Sequence, residues 1–226
     1  MNPEIIYLSD FVDEAAGFIL RSAEASLAER GRFRLSLSGG QTPRPIYDRL
    51  AEIGKNLPWK NVFVTFGDER CVPPDDAESN FRMAEESLLN RVEIPNENIL
   101  RMRGELPPNE AADDYEAMLA AFGEKRFVHD LILLGLGDDG HTASLFPGTA
   151  ALEEQERNVV ANFVPKFDTY RITFTYPLIN AARHVCFLIS GPKKKAIVDA
   201  ILDGRSEVPA ARIAPTRLTW LLGYPK

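Results

Sequence analysis

The sequence predicts an α/β protein, Rossmann-like, with a mostly parallel sheet covered by helices on both faces and a single domain spanning residues 1–226. Strand-like and helix-like segments alternate along most of the chain, the pattern of repeated βαβ units. The segment "DLILLGLG" at 130–137 is apolar almost without interruption, as suits a parallel strand buried on both faces. Gly-rich turns follow several strands directly, at the carboxyl ends where open α/β sheets hold their ligands.

The first strong element is a helix. From Asp10 to Arg30 the apolar residues Phe11, Ala15, Ile19, Ala23 and Leu27 recur at helical spacing, with Asp10 placed to cap it and Gly31 to stop it. "RFRLSLS" at 32–38 alternates as a strand and runs into "GGQTPRPIYDRL", where Thr42 is expected to cap a helix starting at Pro43. "NVFVTFG" at 61–67 is a second strand, followed by a polar loop and a helix from Ser79 to Asn90. A helix from Asn109 to Phe122 leads into the apolar strand at 130–137. "NVVANFV" and "RITFTYPLI" read as strands, "HVCFLIS" as a further apolar strand, "KKKAIVDAIL" as the closing helix and "RLTWLL" as a final strand.

Composition narrows the functional classes. Hydrophobic content of 45% and charged content of 26% are ordinary for a soluble globular chain. The first residues lack the basic and apolar regions of a signal peptide, and no run of about 18 apolar residues occurs; a cytoplasmic protein is expected. Cys71 and Cys186 lie far apart without metal-ligand spacing, so reduced thiols and no zinc site are expected. A net charge of -7 opposes a nucleic-acid or anionic-membrane binder. It leaves room for an anionic small molecule wherever a few cations converge. A monomer or a small homo-oligomer is compatible with all of this.

Four loops at strand ends carry the chemistry. The first, "GLGDDGHTASLFP", contains a formal G-x-G-x-x-G at Gly135, Gly137 and Gly140. A dinucleotide loop would seat pyrophosphate here, but Asp138 and Asp139 would repel it, and Pro147 and Gly148 interrupt the segment soon after. The other reading is a catalytic turn bearing His141, since imidazole can take a proton from water near neutral pH while a carboxylate fixes its tautomer. A histidine simply hydrogen-bonded in a loop is the plain alternative. His129 precedes a strand and His184 begins one, so both are expected at the surface or a sheet edge.

The second loop, "SLSGGQTPRPIY", offers the amides of Gly39 and Gly40, the Thr42 hydroxyl and a helix start, together a ready anion site. It lacks the P-loop pattern, so no nucleoside triphosphate is implied. Arg44 adds charge there or faces water. The third loop places Asp68, Glu69 and Arg70 after a strand, and an arginine in that position can hold or polarise an oxygen. An ion-pair cluster among the three is the structural alternative, and nothing marks an activating partner for Cys71. The fourth, "SGPKKKAIV", sets three lysines at a helix start, where the dipole disfavours cations unless an anion is bound.

The stretches "LSGGQTPRPIY", "GDERCVP", "SNFRMAEESLL", "GLGDDGHTASLFPGT" and "RITFTYPLINAARHVCFLISG" together resemble the 6-phosphogluconolactonases of the glucosamine-6-phosphate isomerase/lactonase superfamily. The likeness runs in family order over nearly the whole chain. It implies the glucosamine-6-phosphate deaminase-like variant of the fold, and hydrolysis of 6-phospho-D-glucono-1,5-lactone to 6-phosphogluconate in the pentose phosphate pathway without metal or organic cofactor. By that resemblance His141 is the general base, Arg70 steadies the oxyanion or orients substrate, and Asp68 helps position these groups. Ser38, Gly39, Gly40 and Thr42, with Arg44 and a lysine of the fourth loop, would bind the 6-phosphate, and Arg171 is a further candidate for the same pocket.

This chain departs from the pattern in two places. The G-x-x-K-A of the family meets "GPKKKA", so counting from Gly191 selects Lys194 and counting back from Ala196 selects Lys195; the spacing to Ile201 and Leu202 favours Lys194. Arg217 stands where a glycine commonly precedes the family's L-x-W. Two rivals differ in chemistry. An amino-sugar-phosphate deaminase or isomerase resembles D-E-Y and H-I-A-F-N-E-P where this chain has "DER" and "HTASLFP", and a non-catalytic sugar-phosphate sensor would keep the phosphate loop but lose the base.

Overall fold

In chain order the elements are β1 (Glu4–Tyr7), α1 (Phe11–Arg30), β2 (Phe33–Leu37), α2 (Arg44–Ile53), β3 (Val62–Phe66), β4 (Asp68–Arg70), α3 (Asn80–Ser87) and α4 (Pro108–Ala120). They continue with β5 (Leu131–Leu134), β6 (Val159–Val164), β7 (Thr169–Phe174), α5 (Tyr176–Asn180), β8 (Val185–Ser190), α6 (Lys195–Leu202) and β9 (Leu218–Gly223). The structure is a computed structural model that describes residues 3–121 and 127–225. A six-stranded sheet of order β1-β9-β8-β5-β2-β3 is parallel throughout. A smaller antiparallel sheet of order β4-β7-β6 stands beside it.

From β2 the chain moves outward to β3, then returns to the other side of β2 and proceeds through β5, β8 and β9. The winding direction therefore reverses between β2 and β5. At such a reversal the loops leaving two neighbouring strands part to opposite faces and open a crevice beyond their carboxyl ends.

The strands are buried on both sides, and alternation divides their side chains between two cores. In β5, Leu131 and Leu133 pack with α1 and α2 residues such as Ile19 and Leu50, whereas Ile132 and Leu134 pack with Tyr115 and Leu119 of α4. β8 splits in the same way, Cys186 and Leu188 to the first core and Val185, Phe187 and Ile189 to the second. α1 ends as its sequence dictates: the Asp10 carboxylate accepts from the Asp13 amide, and Gly31, at φ +68°, donates to the Leu27 carbonyl.

Several expectations need correction. His129 and His184 are not surface residues, being 0% and 7% exposed. Each finds a hydroxyl to bond, His129 Nε2 to Thr65 Oγ1 and His184 Nε2 to Thr219 Oγ1, both at 2.8 Å, which lets imidazole sit inside. Thr42 does not cap α2; the helix begins at Arg44 behind Pro43 with no side-chain cap. "TYPLI" is not strand: after Phe174 the chain turns into α5, with Pro177 tolerated in its first turn. "DER" forms β4 rather than loop, and β1 was missed because four residues give too short a period to detect. The expected helix end at Phe122 lies outside the described residues.

Candidate active site

The crevice at the switch point is bounded by the loops after β2 and β5, with β4 and the end of β8 closing its sides. Ser38, Gly39, Gly40 and Thr42 line it from the β2 side, and Gly137, His141 and Ala143 from the β5 side. Asp68, Arg70, Asn80, Ser190 and Lys194 also reach it.

The turn carrying His141 is built for an imidazole. A Cβ on Gly137 would lie 2.0 Å from His141 Nδ1, so the ring rests directly on a backbone that only glycine leaves clear. Gly140 adopts φ +76°, and a Cβ there would also strike Val208. The ring also stacks on Phe146, centroids 4.0 Å apart and planes inclined by 24°. His141 Nδ1 pairs with Asp139 Oδ1 at 2.5 Å, and Asp139 Oδ2 accepts from Lys166 Nζ at 2.8 Å. Partial burial raises the Asp139 pKa, but the bonds from Lys166 and His141 outweigh it and hold this carboxyl well below the usual carboxylate range. Asp139 is thus ionised, and it selects the tautomer with its proton on Nδ1 and a lone pair on Nε2.

β4 separates its three charges by role. Glu69 points inward and is 2% exposed. Its two oxygens accept from the amides of Arg70, Asn80 and Phe81 and from the Ser79 hydroxyl, at 2.7 to 3.0 Å, so the carboxylate ties β4 to the start of α3. Burial raises its pKa despite those donors. Asp68 faces the crevice, where Oδ2 accepts from Ser144 Oγ at 2.6 Å and the Asp68 carbonyl accepts from Asn80 Nδ2 at 2.9 Å. Asp68 thereby joins the histidine loop to α3 and does not itself meet His141. Arg70 lines the crevice while donating to the Glu78 carbonyl.

The anion loop is held from beneath by Tyr47, whose buried hydroxyl accepts from the Ser38 amide and donates to the Ser38 carbonyl, both at 2.9 Å. Gly39 leaves no space for a side chain, since its Cβ would overlap the Asn80 carboxamide. Gly40, at φ +96°, turns the chain, and Thr42 Oγ1 lies 3.4 Å from Ser190 Oγ.

Of the two candidate lysines, Lys194 lines the crevice and donates to Asp138, while Lys195 lies 3.4 Å from Asp199 on α6. Arg44 is not brought to the crevice: its exposed guanidinium bonds Glu86 of α3 at 3.0 Å. Arg171 is opposite Arg70 in the β4–β7 ladder without lining the crevice. Burial, and secondarily the Arg70 charge, lowers its pKa. Sequence reasoning left open the aspartate partner of His141 and passed over Asn80, Phe146 and Lys166. Asn80 and Phe146 lay within stretches that carried the resemblance, "SNFRMAEESLL" and "GLGDDGHTASLFPGT", whereas Lys166 had no local signal.

The fold and the crevice define a doubly wound α/β protein whose switch-point crevice is lined by a Gly-rich loop, an imidazole and a lysine. A family model described as glucosamine-6-phosphate isomerases/6-phosphogluconolactonase matches residues 8–221, and the chain belongs to that family. It is 44% identical over 234 aligned positions to a 6-phosphogluconolactonase of Synechocystis, covering 98% of this chain and 96% of the relative. A human 6-phosphogluconolactonase is 39% identical, over 89% of this chain and 82% of its own length. Among solved structures, a 6-phosphogluconolactonase from Thermotoga maritima superposes with a TM-score of 0.90 at 31% identity, covering 99% of this chain and 100% of that one.

Proposed function

We propose that the chain is a 6-phosphogluconolactonase, hydrolysing 6-phospho-D-glucono-1,5-lactone to 6-phospho-D-gluconate in the oxidative part of the pentose phosphate pathway. The observation that carries this reading is one crevice holding, on one side, an imidazole anchored by a carboxylate and, on the other, an amide-rich loop beside a lysine. The first chemistry suits proton abstraction from water and the second suits a phosphate tail. The names of the relatives supply the sugar between them.

In this mechanism Nε2 of His141 takes a proton as the water oxygen attacks the lactone carbonyl carbon. The tetrahedral oxyanion faces Arg70, whose guanidinium never loses its charge. Collapse breaks the bond from that carbon to the ring oxygen. The imidazolium returns its proton to the leaving oxygen, and the carboxylic acid product ionises to solvent. A lactone is an activated ester, so neither a covalent nucleophile nor a cofactor is required. Asp139 keeps the tautomer, and Asp68 acts through Ser144 and Asn80.

Ser38, Gly39, Gly40 and Thr42 receive the 6-phosphate together with Lys194, which exchanges the exposed Asp138 carboxylate for the phosphate. Arg171 adds positive field behind Arg70, and Arg44, turned to Glu86, takes no part. A cytoplasmic enzyme, monomeric or a small homo-oligomer, with no nucleic-acid or membrane partner, accords with the net charge of -7. Among the described residues no helix is long and apolar enough to cross a membrane.

The purified protein should hydrolyse freshly prepared 6-phosphogluconolactone and leave glucosamine 6-phosphate untouched; ammonia release from the second would overturn the substrate assignment. His141→Ala should keep the fold and lose about 10²- to 10⁴-fold in kcat, the usual worth of a positioned base. Near-normal turnover by that variant would remove His141 from the mechanism.

A further inference from the structure

The turn between β6 and β7 reaches the active site from a part of the chain that no sequence motif connected with catalysis. Pro165–Phe167 form a single 3-10 turn, closed by Asp168 at φ +48° donating to the Pro165 carbonyl at 3.2 Å. Two successive residues of this turn point back to the same imidazole. Lys166 Nζ donates to Asp139 Oδ2 at 2.8 Å, and the other oxygen of Asp139 is the one paired with His141 Nδ1. Phe167 meets the edge of Phe146, centroids 5.7 Å apart, and Phe146 is the ring on which His141 stacks.

A carboxylate bonded through one oxygen only can rotate about its last bond and carry the imidazole with it. Gripped at both oxygens by donors from different loops, it has one orientation. The charge balance is served as well: an ionised carboxylate beside a ring that cycles to imidazolium leaves its second oxygen needing a donor, and an ammonium is the strongest available. We propose that Lys166 is a positioning residue for the reaction, fixing Asp139 and through it the catalytic tautomer and orientation of His141. This rests on the assignment of His141 as base. Stability alone does not explain the pair: Lys166 is about half exposed, and an exposed ion pair contributes little to folding.

The test compares Lys166→Met, Lys166→Arg and His141→Ala, singly, with Lys166→Met also placed in the His141→Ala background. Each is assayed on freshly prepared 6-phosphogluconolactone and melted thermally. Lys166→Met should lower kcat about tenfold, in keeping with loss of an outer partner of a functional group, with KM within about twofold and an unchanged melting temperature. Lys166→Arg, which restores a donor to Asp139, should recover most of the loss. In the His141→Ala background Lys166→Met should change the residual rate by less than about twofold, because residues acting as one unit are not additive.

A Lys166→Met enzyme with full kcat would overturn the proposal, and so would a rate loss as large without His141 as with it. A raised KM with kcat intact would also overturn it, by assigning Lys166 to substrate binding. Should Lys166→Met fold poorly, Lys166→Leu, which also offers no donor to Asp139, takes its place under the same criteria. If His141→Ala itself keeps its rate, the base assignment fails first and is recognised by that single variant.

Discussion

At the scale of single residues the site depends on what glycine leaves open. Gly137 has an ordinary backbone conformation, so an alanine there meets no torsional penalty; the obstacle is the His141 ring, 2.0 Å from where the methyl carbon would stand. Gly137→Ala should therefore fold normally yet push the imidazole off Asp139, lowering kcat by at least about 10²-fold, comparable with losing the base. Circular dichroism and kcat measured together check this, and an alanine variant of full activity would show that the ring does not need its present seat. His141 was legible because a strand, three glycines and a histidine follow one another within a few residues. The partner Asp139 was legible only as one of two neighbouring aspartates. Lys166 was not legible at all, for it stands 27 residues beyond Asp139 and meets it only because β6 and β7 fold back as a hairpin.

At the scale of elements, long segments with a clear period were predicted well and short ones badly. α1 was readable to its caps, since 20 residues repeat the apolar spacing and both ends carry the residue types that satisfy free backbone groups. β1, β4 and α5 have 4, 3 and 5 residues, fewer than either period needs to declare itself. Their placement comes from tertiary partners instead: β1 pairs with β9, and β4 with β7. Glu69 shows how much one partner can matter. Four donors converge on its carboxylate, and a glutamine would turn an NH₂ toward two of them. Glu69→Gln should cost about 3 kcal/mol in urea unfolding, the scale of a disrupted buried charged group. It should also lower kcat by loosening Arg70 and Asn80. The exposed neighbour Glu78→Gln serves as control, and equal unfolding midpoints for the two variants would deny Glu69 its role.

At the scale of the whole molecule, the parallel sheet was legible because strands buried on both faces are apolar throughout, but the second sheet was not, since nothing in "NVVANFV" or "RITFT" says which sheet each joins. The same two-sided burial encloses two of the three histidines, and this sets how stability responds to acid. Burial, reinforced by Arg34, pushes His129 down to about 3, and burial, reinforced by Arg217, pushes His184 down to about 4. In the unfolded chain both return to about 6.5. Above that value neither state binds a proton there, and the two residues add no pH dependence. Below it the unfolded chain takes up protons that the folded chain refuses, so stability falls as pH drops from about 6.5 toward 4, by up to about 1.4 kcal/mol per pH unit for each histidine. The fall from these two groups ends once the folded protein is itself protonated, near pH 3 to 4. Carboxylates held low by their partners, Asp139 among them, add losses of the same sign at lower pH. Urea midpoints of the parent and of His129→Gln at pH 7, 5.5 and 4.5 separate the contributions. The variant should start less stable at pH 7, having lost the Thr65 bond, and should then lose less stability per pH unit by about one proton's worth; parallel pH curves would show that His129 is protonated as readily in the folded protein as in the unfolded chain.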